Sequence, residues 1–294
     1  MGGVLRATQN PTESDLPAFR EVQQLAYRGA ETIAGELQPG VTEKQTAERL
    51  RHWLLDHGVD DWFHLPFAWF GDRTAFRGVR VAFDFFPGNR RLEAGMPFIL
   101  DCAPVVDGVT ADIGYSGVIG ENATLDRILD DLAEHRALIL AQVKERRRFR
   151  DIYAAVDRLA AEQGYENRHR KYPFGVIAHE VWKLPARPGP VLGSRAAFRF
   201  GLRNVEALFR TAAVARRQGW SPLWNGRRQS DHAPVPGLWA VEPHLGVGGV
   251  GAKFEELLVV TDDDAYWLDD DLPHVRRWEA RGVTPAPRAR SLST

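Results

Sequence analysis

The chain of 294 residues is 44% hydrophobic and 26% charged, enough apolar content to bury a sizeable core and to exclude a disordered chain. Its 38 Lys plus Arg against 39 Asp plus Glu give a formal net charge of −1, so no global field recruits nucleic acid or an acidic membrane, and a small molecule or short peptide is the expected partner. The single cysteine, Cys102, excludes an internal disulfide, no basic-then-apolar leader opens the chain, and no apolar run approaches the roughly 18 residues of a bilayer span, so a cytoplasmic location is expected.

Residues 1–14 are polar and aperiodic, a loose arm. From Leu16, the positions Val22, Leu25, Ala26, Gly29, Ile33 and Leu37 recur at helical steps and predict an amphipathic helix that Pro39-Gly40 ends. Thr42 and Gln45 form a capping-box pattern that starts a second helix through Ala47, Leu50 and Leu54. The aromatic stretch 61–71 contains Pro66, and 79–86 reads as extended. Two apolar runs, 96–104 and 109–118, flank Asp107-Gly108, the strongest hairpin signal in the chain. Helical spacing returns at Leu125–Val143 and Phe149–Leu159. A short apolar segment, 175–181, precedes an Arg-, Pro- and Gly-rich insert near 186–237 with one helix from about Asn204 to Arg217. Strand-like runs at 238–242 and 254–261 flank Gly246–Gly251, which matches no phosphate-binding pattern and reads as a loop. The remainder, 273–294, reads as a polar tail, leaving a single domain over 15–272.

The informative anomaly is acid where a plain core would be apolar. If Asp107 and Gly108 are the two turn residues, Val106 faces Val109 and Asp101 lies opposite Gly114. Asp112 is two residues from Gly114 on the same strand, so Asp101 and Asp112 are diagonal neighbours on one face. Two carboxylates converging inside a sheet cannot both stay ionised without a compensating cation, and a divalent metal ion would supply one. Glu242, in AVEPHL, and Glu255, in AKFEELLVVT, repeat the pattern on apolar strands. Four acidic groups and an imidazole are able to hold two divalent ions sharing a bridging water, which becomes acidic enough to yield hydroxide near neutral pH.

These residues resemble the catalytic domain of the creatinase/aminopeptidase P/methionine aminopeptidase family, the "pita-bread" metallopeptidases. The likeness lies in the N-terminal helix pair joined by PGVTE and in the blocks LEAGMPFILD…DGVTAD, VPGLWAVEP and FEELLVVT. It implies an α/β (α+β) fold, a curved antiparallel sheet covered by helix pairs, without the extra N-terminal domain of aminopeptidase P and creatinase. It further implies that Asp101, Asp112, Glu242 and Glu255 are metal ligands for two divalent ions (Mn, Fe, Co or Zn). The family places two histidines where this chain has one between Tyr172 and Ala186. One register makes His179 the fifth ligand; the other makes it the substrate-contacting histidine and puts Tyr172 at the ligand. The first is preferred, because a neutral imidazole is a better ligand at pH 7 than a phenol that must lose its proton. Either way a family histidine is missing, and ordinary aminopeptidase activity is not implied.

His64 and His232 are the candidate replacements as acid or base, with Glu242 as proton shuttle. His169 reads as surface, His244 faces either the pocket or a turn, and Cys102, beside Asp101 on a strand, points to the opposite face as a packed thiol. The Arg-rich insert covers the site and selects an anionic or aromatic substrate, forms a homodimer surface, or is a solvated face. The leading expectation is a hydrolase cleaving an amide or other C–N bond. The alternatives are a non-catalytic binding protein on the same scaffold and a di-iron or di-manganese oxygen-using enzyme.

Overall fold

The computed structural model describes residues 11–185, 196–197 and 199–283; most of the expected arm, Arg187 and Arg195 of the insert, and residues 284–294 lie outside them. Helices α1 (Leu16–Glu36) and α2 (Glu43–Asp56) lead into strands β1 (Asp61–Phe70), β2 (Pro97–Val106), β3 (Val109–Thr110) and β4 (Ile113–Val118). A second helix pair, α3 (Ala123–Lys144) and α4 (Phe149–Glu162), precedes β5 (Glu166–Asn167), β6 (Val176–Val181), β7 (Ala196–Ala197) and β8 (Phe200–Gly201). Then follow α5 (Leu202–Arg217), β9 (Leu223–Asn225), β10 (Gly237–Val241), β11 (His244–Val247), β12 (Val250–Lys253), β13 (Glu256–Val260), β14 (Ala265–Trp267) and α6 (Pro273–Ala280).

All strand pairs are antiparallel, in three sheets ordered β3-β2-β1-β8-β7 with β4 also on β2, β14-β13-β10-β6-β9, and β12-β11-β5. Single bridges Gly114↔Glu255 and Val109↔Lys183 join the first two sheets into one curved surface. Helices α1 and α2 cover one half and α3 and α4 the other. Trp62, Leu100, Cys102, Trp224, Trp239 and Phe254 are buried in the core beneath the helices.

Local chemistry explains where the elements begin and turn. Thr42 accepts from the Gln45 N–H (3.2 Å) while Gln45 Oε1 accepts from the Thr42 N–H (3.0 Å), satisfying two otherwise orphaned donors at the start of α2. Asp107 (φ 50°) and Gly108 (φ 80°) both adopt left-handed backbone, the two-residue turn whose twist matches a hairpin. Pro66 falls where the β1–β2 register shifts, between His64 and Phe67, since a proline cannot donate to the ladder.

Three local expectations change. Residues 82–85 form a 3-10 turn rather than extended chain. The glycine-rich 246–251 is no open loop but the β11–β12 hairpin, turning through Gly248 (φ 58°) and Gly249 (φ 93°). The expected tail begins with α6, whose Val275 and Trp278 are buried and whose Trp278 Nε1–H donates to the Leu129 carbonyl at 2.7 Å. A helix of eight residues with only two buried side chains carries too weak a period to stand out in sequence.

Candidate metal centre

The β2–β4 register pairs Asp101 with Gly114, as the turn geometry predicts, and both aspartates are buried. Strand β6 contributes His179, paired with Ala240 of β10, and Glu242 follows β10 directly. Glu255 sits at the bridge to Gly114, between β12 and β13. The structure thus brings Asp101, Asp112, His179, Glu242 and Glu255 together, and adds His64 from the bulged part of β1. All six line the same cavity of about 250 Å³.

The two imidazoles are held alike. His64 Nδ1 faces the Leu65 carbonyl at 3.1 Å and His179 Nδ1 the Glu180 carbonyl at 3.3 Å, so each carries its proton there and turns Nε2 inward. His64 Nε2 lies 3.2 Å from Asp112 Oδ1 and 3.3 Å from Asp101 Oδ1; His179 Nε2 lies 3.2 Å from Asp112 Oδ2. Burial alone would push His64 down, but the charge and hydrogen bond of Asp112 and the charge of Asp101 raise it to about 9. Burial works against the Asp112 carboxylate too, yet the two imidazoles hold it well below the usual carboxylate range.

One further polar participant was not anticipated from sequence. Lys253, at the end of β12, is fully buried, and its ammonium donates to Asp101 Oδ2 (2.6 Å), Glu242 Oε2 (2.7 Å) and Glu255 Oε2 (2.8 Å). Its position two residues before Glu255 was the available signal, because residues two apart on a strand share a face.

A divalent ion fits this donor set. Asp112, His179 and Glu255 each offer a ligand atom, all within 4.8 Å of one another, and the same holds for His64, Asp101 and Asp112 and for Asp101, Glu242 and Glu255. One ammonium and two imidazoles leave four clustered carboxylates short of positive charge. Burial, with the Asp101 and Asp112 charges, raises Glu242 to about 6 against the pull of Lys253, and burial together with Asp112 and Glu242 raises Glu255 well above its ordinary value. Carboxylates that resist ionisation in a mixed oxygen–nitrogen cluster are what a bound divalent ion would relieve.

The remaining candidates fall elsewhere. His232 is not among the cavity residues: its Nε2 accepts from the Ser221 N–H (3.1 Å), its Nδ1–H donates to the Ala233 carbonyl (2.8 Å), and its ring packs edge-on against Phe149. Both ring nitrogens are committed to backbone, which corrects its reading as an acid or base of the site. Tyr172 presents its ring to Lys253, 5.0 Å from the ammonium, while its hydroxyl meets His244 Nδ1 at 3.0 Å. His244 is buried, with Nε2–H donating to the Thr74 carbonyl at 2.7 Å, so it supports Tyr172 from behind. His169, expected at the surface, is fully buried and stacks edge-on against Tyr153. Cys102 is buried in the core on the opposite face of β2 from Asp101, and burial pushes its thiol up.

Above the carboxylates the cavity is almost entirely apolar. Phe63, Phe67, Trp69, Phe85, Phe86, Tyr172 and Phe200 line it, and α5 closes it with Val205, Leu208 and Phe209. The Arg-rich insert therefore supplies aliphatic and aromatic side chains to the site. Arg210 pairs with Glu206 in solvent, and no Lys or Arg lines the cavity among the described residues.

The sequence profile of metallopeptidase family M24 matches residues 17–262. The fold is shared with the X-Pro aminopeptidase from Thermotoga maritima MSB8 (TM-score 0.58, 18% identity, 90% of this chain and 63% of that one). It is also shared with the Xaa-Pro dipeptidase from Bacillus anthracis (0.56, 20%, 88% and 61%) and the methionine aminopeptidase from Rickettsia prowazekii (0.55, 16%, 89% and 99%). At such identities the likeness shows the fold, and it is the pita-bread fold. An uncharacterised peptidase of Staphylococcus aureus is 22% identical over 156 residues; that alignment takes in 52% of this chain and 42% of the relative, so the match spans less than half of that protein's length.

Proposed function

The chain belongs to metallopeptidase family M24, and on that premise we propose that it is a metal-dependent hydrolase acting on an amide or other C–N bond. Its substrate is a small molecule or short peptide with an uncharged aromatic or bulky apolar group beside the cleaved bond. The observation that carries this reading is the convergence of four carboxylates and two imidazoles at the floor of an apolar cavity.

Asp112, His179 and Glu255 would hold the ion, with His64 and Asp101 at their edge. A bound Mn, Fe, Co or Zn ion supplies Lewis acidity, polarising the substrate carbonyl and acidifying the attacking water. The chain's own groups do the rest. Glu242 accepts from the Lys253 ammonium at Oε2, and its other oxygen takes the proton from the water and passes it to the departing nitrogen. The Nδ1–H bonds of His64 and His179 to backbone carbonyls keep both Nε2 atoms turned toward the cluster. Phe63, stacked on His179 with ring centroids 4.9 Å apart, packs that imidazole in place and keeps water from its outer face. The aromatic walls accept the substrate's apolar group and exclude a charged one, since no Lys or Arg among the described cavity residues pairs with an anion.

A second reading, a binding protein that keeps the cavity without turnover, is favoured by Lys253, which already satisfies one oxygen on each of three carboxylates. One experiment separates the two. Chelator-stripped protein is reloaded with Mn²⁺, Co²⁺ or Zn²⁺ and assayed on N-acyl aromatic amides and on dipeptides with aromatic residues. Metal-restored cleavage supports the hydrolase; metal binding without cleavage across the panel replaces it with the binding protein; and protein that retains no divalent ion refutes the metal reading altogether.

A further inference from the structure

A cluster of four carboxylates is large enough for two divalent ions, but one of the places for an ion is already taken. Asp101, Glu242 and Glu255 form one of the three candidate ligand groups, and the three oxygens they turn inward are those on which Lys253 Nζ sits, at 2.6, 2.7 and 2.8 Å. An ammonium has three protons and here finds three carboxyl oxygens as acceptors, so its donor capacity is filled. A divalent ion would need the same oxygens at about 2.0–2.2 Å from the same point, and two cations cannot share it.

The lysine is built in rather than fallen in. Its stem runs where a Cβ on residue 114 would stand: a Cβ there would meet Lys253 Cδ at 2.9 Å and Cγ at 3.0 Å, with Cε closer still. Only glycine at 114, the residue paired with Asp101 across the hairpin, leaves that channel open. The Lys253 backbone is fixed as well, its N–H donating to Ser116 Oγ (3.0 Å) while that hydroxyl donates to the Lys253 carbonyl (2.8 Å). Strand β4 thus holds the root and the stem of this side chain, and carboxylates from three other parts of the chain hold its charged tip.

We propose that Lys253 is a resident cation standing in for one of two metal ions, so that this chain binds a single divalent ion, on the Asp112, His179 and Glu255 side. This rests on the metal reading given above and narrows it. The ammonium anchors Glu242 and Glu255 in place, a positioning role, and leaves the chemistry of the Lewis acid to one ion.

Metal stoichiometry tests it directly. Stripped wild-type protein and the Lys253→Met variant, each checked for a cooperative melt, are dialysed to equilibrium against Mn²⁺ and the bound metal counted by mass spectrometry. The expected result is one ion per chain in the wild type and two in Lys253→Met, a doubling. Two ions in the wild type, or one in both proteins, overturns the inference and leaves the metal-dependent hydrolase standing. No ion in the wild type overturns both. Should the variant fail to fold, Mn²⁺-soaked wild-type crystals decide: a single anomalous peak beside Asp112 and His179 upholds the inference, and a peak among Asp101, Glu242 and Glu255 with Lys253 displaced ends it.

Discussion

At position 114 any side chain would strike the stem of Lys253, whose tip is committed to three carboxylates and whose backbone is tied to Ser116. Because neither end of the lysine is able to yield, Gly114→Ala should cost about 1–3 kcal/mol, the usual range for an overpacked core. Thermal melts of Gly114→Ala in the wild-type and Lys253→Ala backgrounds check this: the cost should largely vanish when the stem is gone, and an equal cost in both backgrounds would show that glycine is needed there for another reason. The pairing of Asp101 with Gly114 was legible from the Asp107-Gly108 turn. That the vacancy serves a lysine from a strand far along the chain was not, because the bridge between β4 and Glu255 is a tertiary contact.

At the scale of elements, two helices carry opposite lessons. The α2 start is purely local: Thr42 and Gln45 satisfy each other's backbone N–H groups. Thr42→Ala should lower stability by about 1 kcal/mol, read as a shifted urea midpoint with an unchanged slope. By contrast, α5 is readable as a helix, but its target is not. Its arginines suggest an anionic ligand, whereas the fold turns Val205, Leu208 and Phe209 onto the cavity. Leu208 also packs in the core, whereas Phe209 is exposed and lines the cavity, so Phe209→Ala removes apolar contact with the substrate with little loss of packing and should raise KM for an aromatic amide about tenfold with a much smaller change in kcat. An unchanged KM would place the substrate's apolar group elsewhere.

For the molecule as a whole, acid stability follows from what the helix pair α3–α4 buries. His135 is enclosed with Nε2–H donating to Gln163 Oε1 at 2.9 Å, and burial lowers it to about 4. The unfolded chain takes up this proton below about pH 6.5, while the folded chain refuses it until about pH 4. Above pH 6.5 the residue is neutral in both states and contributes no pH dependence. Between pH 6.5 and 4 it progressively destabilises the fold, by on the order of 3 kcal/mol in full, because each tenfold difference in proton affinity between the two states is worth about 1.4 kcal/mol. Urea unfolding of wild type and His135→Gln across this window should show the wild type losing more stability as pH falls; parallel curves would mean that His135 accepts its proton without opening the fold.

By itself the sequence determined the helix pairs, the hairpin register and the acidic residues, because periodicity, capping and turn chemistry act over a few residues and leave their mark on the string. The order of its acidic blocks was enough to suggest the pita-bread fold. Only the tertiary structure decided which histidine joins the cluster. His64 and His232 look equivalent in sequence as partners for His179, yet His64 turns Nε2 onto Asp112 beside His179 and His232 spends both nitrogens on backbone. It decided, too, that the carboxylates share a buried lysine, since charge balance is a property of a volume and that volume is assembled from several strands and the turns between them.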